Sequence, residues 1–397
     1  MIDIAIFGFG VVGSGTAEVL TQNASLIAER VGEPVNIKYI LDLRDFPDSP
    51  FRDCVVHDID VILNDPEVRV CAELMGGSHP AYEYSVRAMK AGKSVVTSNK
   101  EVVANFGPEL LKTAAENNVR YLFEASVGGG IPVIHPIGSC LTANDITEVN
   151  GILNGTTNYI LTQMITAHKD FSEALKEAQE KGYAERDPSA DVDGIDTCRK
   201  ISILSAIAFG SLVPPDEIKT RGIREVTATD VANAEKIGAA IKLIGRTVKV
   251  GDKITACVEP MFVRKTNPLA NIGDVYNGIL VNGNAIGDVM FYGRGAGKLP
   301  TASAVVSDII EIAMYLDHPA HNVHVWGRVP KDEILSSDRL KSRFCLRFDK
   351  KPNHCLCMLD AEIVSDEPGN YTVVTGEVTP LDLGITLSEK YTAYRIL

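Results

Sequence analysis

Gly8, Gly10 and Gly13 stand directly behind the apolar, β-branched run of residues 2–7 and at the head of a segment with helical spacing. A strand that turns at once into a helix leaves little room for side chains. G-x-G-x-x-G in this setting therefore predicts a turn whose backbone N–H groups, with the helix N-terminus behind them, face a pyrophosphate. A turn that is merely glycine-rich is the alternative, and the strand before and helix after the glycines argue against it.

The alternation continues. Residues 35–41 read as a second strand ending at Asp42, and residues 68–74 as another that ends in Gly76-Gly77. A helix over 82–92 closes on Gly92, and residues 94–97 form the next strand. Strands and helices joined by short loops predict an α/β fold with a doubly wound, parallel, Rossmann-type sheet over residues 1–130, whose ligands sit at the C-terminal strand ends. The candidate dinucleotide contacts are Gly8, Phe9, Gly10, Val11, Val12 and Gly13, with Gly76, Thr97 and Lys100 beyond further strands. Asp42 is placed to hold a ribose 2′-OH, whereas Arg44 could pair with a 2′-phosphate. Both NAD and NADP fit these two residues, with a slight lean to NADP.

Length and composition bound the rest. At about 150 residues per domain, 397 residues make two or three domains. Thirty-nine basic against 52 acidic residues give a net charge of −13, and no basic stretch of five occurs, which argues against a nucleic-acid partner. No apolar segment reaches membrane-spanning length, and the N-terminus lacks the basic region of a signal peptide. The eight cysteines show neither CxxC pairs nor the density of a disulfide scaffold, so a reduced, cytoplasmic protein is expected. Residues 131–300 change character, with Gly- and Asn-rich turns, a polar helix from Phe171 and an apolar helix from Thr197. They read as a second domain. The last 60 or so residues look like a small β-rich appendage, with strands over 343–348, 355–359 and 371–376.

Asp196 and Lys200 are four apart at the start of a helix and so share one face. Spacing alone favours a surface ion pair worth a few tenths of a kcal/mol. Lys100 lies just past a strand end, within reach of a nicotinamide and a substrate, or else is a solvated loop lysine.

Several longer stretches change that balance. GFGVVGSG, VVTSNKEVVA, EASVGGGIP and GILNGTTNYIL resemble segments of the homoserine dehydrogenase family, with Ser98 where alanine is usual. AQEKGYAERDPSADVDGIDTCRK resembles the family signature from Ala178 through Gly182, Asp187-Pro188, Asp191, Gly194 and Asp196 to Lys200, with its spacings intact. The resemblance spans nearly all of residues 1–325. It implies reversible reduction of L-aspartate 4-semialdehyde to L-homoserine, in threonine, methionine and isoleucine biosynthesis. Such a reduction needs a hydride donor, a proton donor and groups that fix the substrate. The resemblance implies that Lys200 and Lys100 handle the proton while Asp196 orients. Glu185 would receive the substrate ammonium, and Tyr183, Asn154, Gly155, Thr156 and Asp191 would contact the amino-acid end. It adds Gly182, Glu185 and Gly297 to the cofactor contacts. It also implies a structural sodium ion near Glu124, Val127, Gly129 and Ile131, held largely by backbone carbonyls.

Under the same resemblance, residues 131–300 form a catalytic and dimerisation domain, and residues 301–325 return to the nucleotide domain. The protein would be a homodimer or homotetramer. Residues 335–397 are similar to the start of an ACT regulatory domain, but Asn353 replaces a usual glycine and the remainder is short for the whole module. Assembly is thus as fair a role as threonine sensing.

Four other readings fit the sequence less well. The acidic run 187–196 lacks the spacing of a calcium loop. His318, His321 and His324 recur every third residue, but Pro319 interrupts any helix that would align them. Cys140 could serve as the nucleophile of an acyl-forming oxidoreductase, yet no histidine is placed by motif as its base, and a buried structural cysteine is expected instead. A non-catalytic nucleotide sensor would not be expected to keep Lys200, Asp196 and Glu185 together.

Overall fold

The computed structural model describes residues 1–320, 326–352 and 356–397. The chain forms two compact units, one of residues 1–143, 206–214 and 293–328, the other of residues 144–205, 215–292 and 329–397. His321, His324, Asn353 and Cys355 lie outside the described residues, as does the side chain of Cys357.

The first unit is built on β1 (Ile2–Phe7), β2 (Val35–Leu41), β3 (Val55–Val56), β4 (Val68–Glu73), β5 (Ser94–Thr97) and β6 (Tyr121–Leu122). They lie in the order β3-β2-β1-β4-β5-β6 with every adjacent pair parallel. Every residue of β1 is buried, as a central strand covered on both faces requires. The connecting helices are α1 (Val11–Gln22), α2 (Ala24–Val31), α3 (Ile59–Leu63), α4 (Ala81–Lys90) and α5 (Lys100–Glu116). The strand order reverses between β1 and β4, which is where a parallel sheet of this kind opens a crevice for ligand. Gly8 turns the chain there at φ +90°, and a Cβ on Gly13 would lie 2.0 Å from the Gly8 carbonyl oxygen.

The second unit opens with β7 (Ile146–Ile152), followed by α6 (Gly155–Thr166), α7 (Phe171–Glu180), α8 (Ser189–Val192) and α9 (Ile195–Phe209). After β8 (Ser211–Leu212) of the first unit come β9 (Lys219–Thr220), α10 (Ala228–Lys236), β10 (Ala239–Val250), β11 (Lys253–Arg264), β12 (Tyr276–Gly283) and β13 (Gly287–Arg294). The first unit is completed by α11 (Lys298–Met314) and β14 (Gly327–Arg328), which pairs with β8. Ala304, Val305, Ile309 and Ile312 of α11 pack into the core formed by Ile4, Ile6, Ala17 and Leu20. The chain ends with β15 (Phe344–Phe348), β16 (Glu362–Glu367), β17 (Asn370–Val374), α12 (Pro380–Thr386) and β18 (Thr392–Ile396).

One mixed sheet, ordered β13-β12-β7-β10-β11-β18-β15-β17-β16, runs through the second unit, with β9 beside β11. Its last four strands are antiparallel neighbours in the order fourth, first, third, second. With α12 between the third and the fourth, this is the split βαβ arrangement, its first helix reduced to a 3-10 turn at Leu356–Leu359.

Several sequence expectations need correction. The segment with helical spacing behind the glycine turn is two helices that meet at Asn23, the first beginning at Val11. The return of the chain to the nucleotide domain, placed at 301–325, begins with a helix that starts at Lys298 behind Gly297. The strand expected over 355–359 is a 3-10 turn among its described residues, because a short apolar run does not by itself distinguish strand from turn. Cys140 is exposed on the π-helical turn Pro136–Cys140 instead of buried.

Arg395 of β18 is 2% exposed. Its guanidinium bonds Glu259 Oε1 at 2.8 Å, Ser342 Oγ at 2.6 Å and the carbonyls of Leu340 and Ser337. Removing this buried guanidinium leaves the partly buried Glu259 with only the more distant Arg221 at 3.8 Å and takes the donor from two carbonyls, so Arg395→Met is expected to cost about 3 kcal/mol in denaturant unfolding. A cost below about 1 kcal/mol would show the pair to be no more than a surface contact.

Candidate active site

In the first unit, Gly8, Gly10, Asp42, Arg44 and Gly76 line one pocket of about 470 Å³, together with Leu74, Met75 and His57. Gly10 caps α1 without a side-chain hydrogen bond, and no atom stands within 4 Å of where its Cβ would be. The first turn of α1, with Val11, Val12 and Gly13, thus presents its N–H groups to open space suited to a pyrophosphate. Phe9 donates its N–H to Asp42 Oδ2 at 2.8 Å. Arg44 grips the same carboxylate through Nε and Nη2, each at 2.9 Å. That contact, with the Phe9 and Arg44 N–H groups, holds the Asp42 carboxyl down to about 2. Arg44 is itself mostly exposed and so can exchange Asp42 for a phosphate. Thr97 is buried at the end of β5, and Lys100 is the first residue of α5. Gly297 precedes α11 at φ +128°.

Sequence reasoning missed His57. It lines the pocket and donates from Nδ1 to the Asp42 carbonyl at 2.7 Å, a contact that raises its pKa. No motif marks it, since 15 residues separate it from Asp42.

The loop proposed to hold a cation lies in the same unit. Both Glu124 carboxylate oxygens are engaged by the N–H groups of Val133, Ile134 and His135, at 2.6–2.9 Å. These three bonds take up most of what the carboxylate can accept, and the Glu124 carbonyl accepts the Val127 N–H at 3.5 Å. Gly129 runs at φ +58°, and a Cβ there would come within 2.5 Å of the Gly295 carbonyl. Val127 and Ile131 are buried on either side of it.

In the second unit, the N-cap of α6, the short α8 and the first turns of α9 bring four polar side chains together. Asn154 caps α6 through Oδ1, which accepts the Thr157 N–H at 2.9 Å. Its amide donates both hydrogens to carboxylates, Asp191 Oδ1 at 2.7 Å and Asp196 Oδ2 at 2.9 Å. Lys200 Nζ donates to Asp196 Oδ2 at 2.8 Å and to the Leu153 carbonyl at 2.7 Å. Both members of that pair are buried, their side chains 9% and 6% exposed, so this is no solvated surface pair. Burial raises the pKa of Asp191, against the pull of the Asn154 amide.

Nearby in sequence, Gly155 sits where a Cβ would strike the Val275 carbonyl at 2.7 Å. Thr156 donates to the Tyr183 carbonyl at 2.7 Å, and the Tyr183 ring packs on Tyr159. Glu185 is exposed, and Gly182 turns the chain at φ +74°. The structure thus brings Asn154, Asp191, Asp196 and Lys200 into one cluster, with Glu185 outside its hydrogen bonds. The acidic run that invited a calcium reading directs Asp191 and Asp196 to an amide and an ammonium instead.

Comparison with known proteins agrees over most of the chain. Residues 132–310 match the homoserine dehydrogenase family, and residues 8–124 match the family described as the homoserine dehydrogenase NAD binding domain. A homoserine dehydrogenase of Synechocystis is 43% identical over 318 residues, 78% of this chain and 73% of that protein. The crystal structure of a homoserine dehydrogenase from Thiobacillus denitrificans superposes with a TM-score of 0.90 at 32% identity, covering 100% of this chain and 98% of that one. A hyperthermophilic archaeal homoserine dehydrogenase mutant in complex with NADPH gives 0.68 at 31% identity, covering 80% and 98%.

Asn154→Ala removes a helix cap and both hydrogen bonds to the buried carboxylates. It is expected to lower stability by about 2 kcal/mol and to reduce turnover, read by thermal melting and steady-state kinetics on one preparation. A variant with unchanged melting would show that the amide does not hold the cluster.

Proposed function

The chain belongs to the homoserine dehydrogenase family and is an NAD(P)-dependent oxidoreductase acting on a CH–OH group, the premise from which we propose its mechanism and its residues. It interconverts L-aspartate 4-semialdehyde and L-homoserine. The nicotinamide supplies or accepts the hydride. In the reductive direction Lys200 gives the proton to the oxygen that becomes the alcohol, and Asp196 holds the ammonium at 2.8 Å while the Leu153 carbonyl fixes its direction. Lys100, at the head of α5, is the second ammonium assigned to the proton. Glu185 takes the substrate ammonium, and Tyr183, Asn154, Gly155, Thr156 and Asp191 hold the amino-acid end. The observation that carries this reading is the burial of the Lys200–Asp196 pair under the Asn154 amide. Two buried charges fixed by a third polar group are costly unless they act on something.

The dinucleotide would be held by Gly8, Phe9, Gly10, Val11, Val12 and Gly13, with Asp42, Arg44, Gly76, Thr97 and Lys100 also in the first unit. Gly182, Glu185 and Gly297 complete the assignment. NADP is favoured, because Arg44 and His57 both border the pocket next to Asp42. A monovalent cation, sodium, would sit at Glu124, Val127, Gly129 and Ile131 on main-chain carbonyls. The further reading is a cytoplasmic homodimer or homotetramer in the threonine, methionine and isoleucine routes. Residues 335–397 would be a truncated ACT-like module that serves assembly or threonine sensing. Among the described residues no helix is long and apolar enough to cross a membrane.

Oxidation of L-homoserine by wild type and by Lys200→Ala tests the mechanism. A fall in kcat of at least about 10²-fold is expected, and a smaller fall would remove Lys200 from the proton transfer. Arg44→Ala is expected to raise KM for NADP about tenfold or more with a smaller effect on NAD. Equal effects on the two cofactors would place the 2′-phosphate elsewhere.

A further inference from the structure

Glu73 is the last residue of β4, fully buried, and no cation is among the groups that act on it. Its Oε1 accepts the Met75 N–H at 2.8 Å, and its Oε2 accepts the Thr97 hydroxyl at 2.7 Å. Thr97 Oγ1 in turn accepts the Asn99 N–H at 2.9 Å. The Asn99 amide donates to the carbonyls of Gly77 at 2.7 Å and Met75 at 3.3 Å. Its Oδ1 accepts the Val102 N–H and so caps α5 one residue ahead of Lys100. Ser78 Oγ donates to Glu101 Oε1 at 2.8 Å, tying the same loop to the first turn of α5 a second time.

A single run of hydrogen bonds therefore begins at one buried carboxylate and ends on two functional segments. Met75 and Gly76 line the nucleotide pocket, and Lys100 heads α5. A glutamine could hold a strand end without the desolvation cost of an unpaired carboxylate. We propose that Glu73 is a positioning residue for the dehydrogenase reaction: acting through Thr97 and Asn99, its carboxylate sets the Met75–Gly77 side of the cofactor pocket and the Lys100 turn as one unit. The inference rests on that reaction and adds to it a residue that touches neither substrate nor cofactor.

The direction of the bonds gives it a pH signature. Thr97 Oγ1 accepts the Asn99 N–H and directs its own hydroxyl hydrogen to Glu73, which fits a carboxylate that only accepts. Protonation places a hydrogen on one of the two Glu73 oxygens, against either the Met75 N–H or the Thr97 hydroxyl, and so weakens one of the two bonds that tie the loop to the strand ends. Burial pushes the Glu73 carboxyl up to about 7. Its neighbours across the sheet are Phe7 on β1 and Thr97 on β5. The titratable group beside it is Tyr121 of β6, whose phenol burial keeps protonated. Turnover should accordingly rise as pH climbs through about 7.

The test is homoserine oxidation by the full-length chain as wild type, Glu73→Gln and Thr97→Val, across roughly pH 6–9. Glu73→Gln is expected to lose the limb near neutrality from kcat and to raise KM for the nicotinamide cofactor about tenfold. Thr97→Val keeps the carboxylate but removes a hydrogen bond to its charged form, so its limb should move to higher pH. A purely structural role would lower the melting temperature and leave the limb in place. The proposal is overturned if wild type shows no such limb, or if Glu73→Gln keeps it with kcat and KM within about twofold of wild type. Should Glu73→Gln fail to fold, an unmoved limb in Thr97→Val overturns it alone. Failure of wild type to oxidise homoserine would instead remove the reaction itself.

Discussion

At Gly13 the first turn of α1 lies too close to the end of β1, at Gly8, for a side chain. A Cβ on Gly13 would overlap the Gly8 carbonyl oxygen, and Gly8 itself turns at a positive φ that other residues avoid. The helix is consequently anchored against the strand end, with its first N–H groups directed into the crevice where the strand order reverses. Gly10 offers no side chain to satisfy them. Those orphan donors and the partial positive charge of the helix end are what an anionic ligand neutralises. The Asp42 carboxylate, bound to the Phe9 N–H, then fixes the turn to the end of β2. The open N–H groups of the helix end and the tie from Phe9 to Asp42 both follow from that single steric fact.

The second unit solves the opposite problem, how to keep charge where water is scarce. Lys200 and Asp196 alone would be the i,i+4 pair seen on many helix surfaces, worth little. Buried, the ammonium and carboxylate need every remaining lone pair and proton matched. The Leu153 carbonyl meets the ammonium, and Asn154, two roles in one side chain, caps α6 while its amide serves both Asp196 and Asp191. One amide bridging two carboxylates explains how such closely placed acids coexist, although desolvation still raises the pKa of Asp191.

Local features were legible in the sequence, and distant partnerships were not. The strand, turn and helix around Gly8 are coded by neighbouring residues, and so is the β/α alternation that follows. The mixed sheet of the second unit escaped notice because its long strands break the simple alternation of polar and apolar residues. Lys242 within β10 is an example, buried with its ammonium on Asn158 Oδ1 and the Ile272 carbonyl, its pKa pushed down to about 8 by burial. A lysine in that position reads as a solvent-facing residue. Glu73 was hidden for the same reason: a carboxylate next to Gly76-Gly77 looks exposed until Thr97, 24 residues later, is folded beside it. The family signature did point to Asp191, Asp196 and Lys200, but spacing alone gave no sign of their burial.

The C-terminal module shows how much of a fold survives when one of its layers is reduced. Its four strands keep the order β18-β15-β17-β16 although a 3-10 turn stands where a first helix would run. A split βαβ sheet on its own has two open edges. Here β18 is taken up by β11 of the same unit, at Met261 and Phe262, and Arg395 secures the junction from inside. Only β16 remains as an edge, with the sequence EIVSDE and most of its side chains exposed. Three of its six residues are acidic, and like charges brought side by side across a new strand pair would repel. Lys236 and Lys351 pair with two of these acids, Glu367 and Asp366, along the same edge.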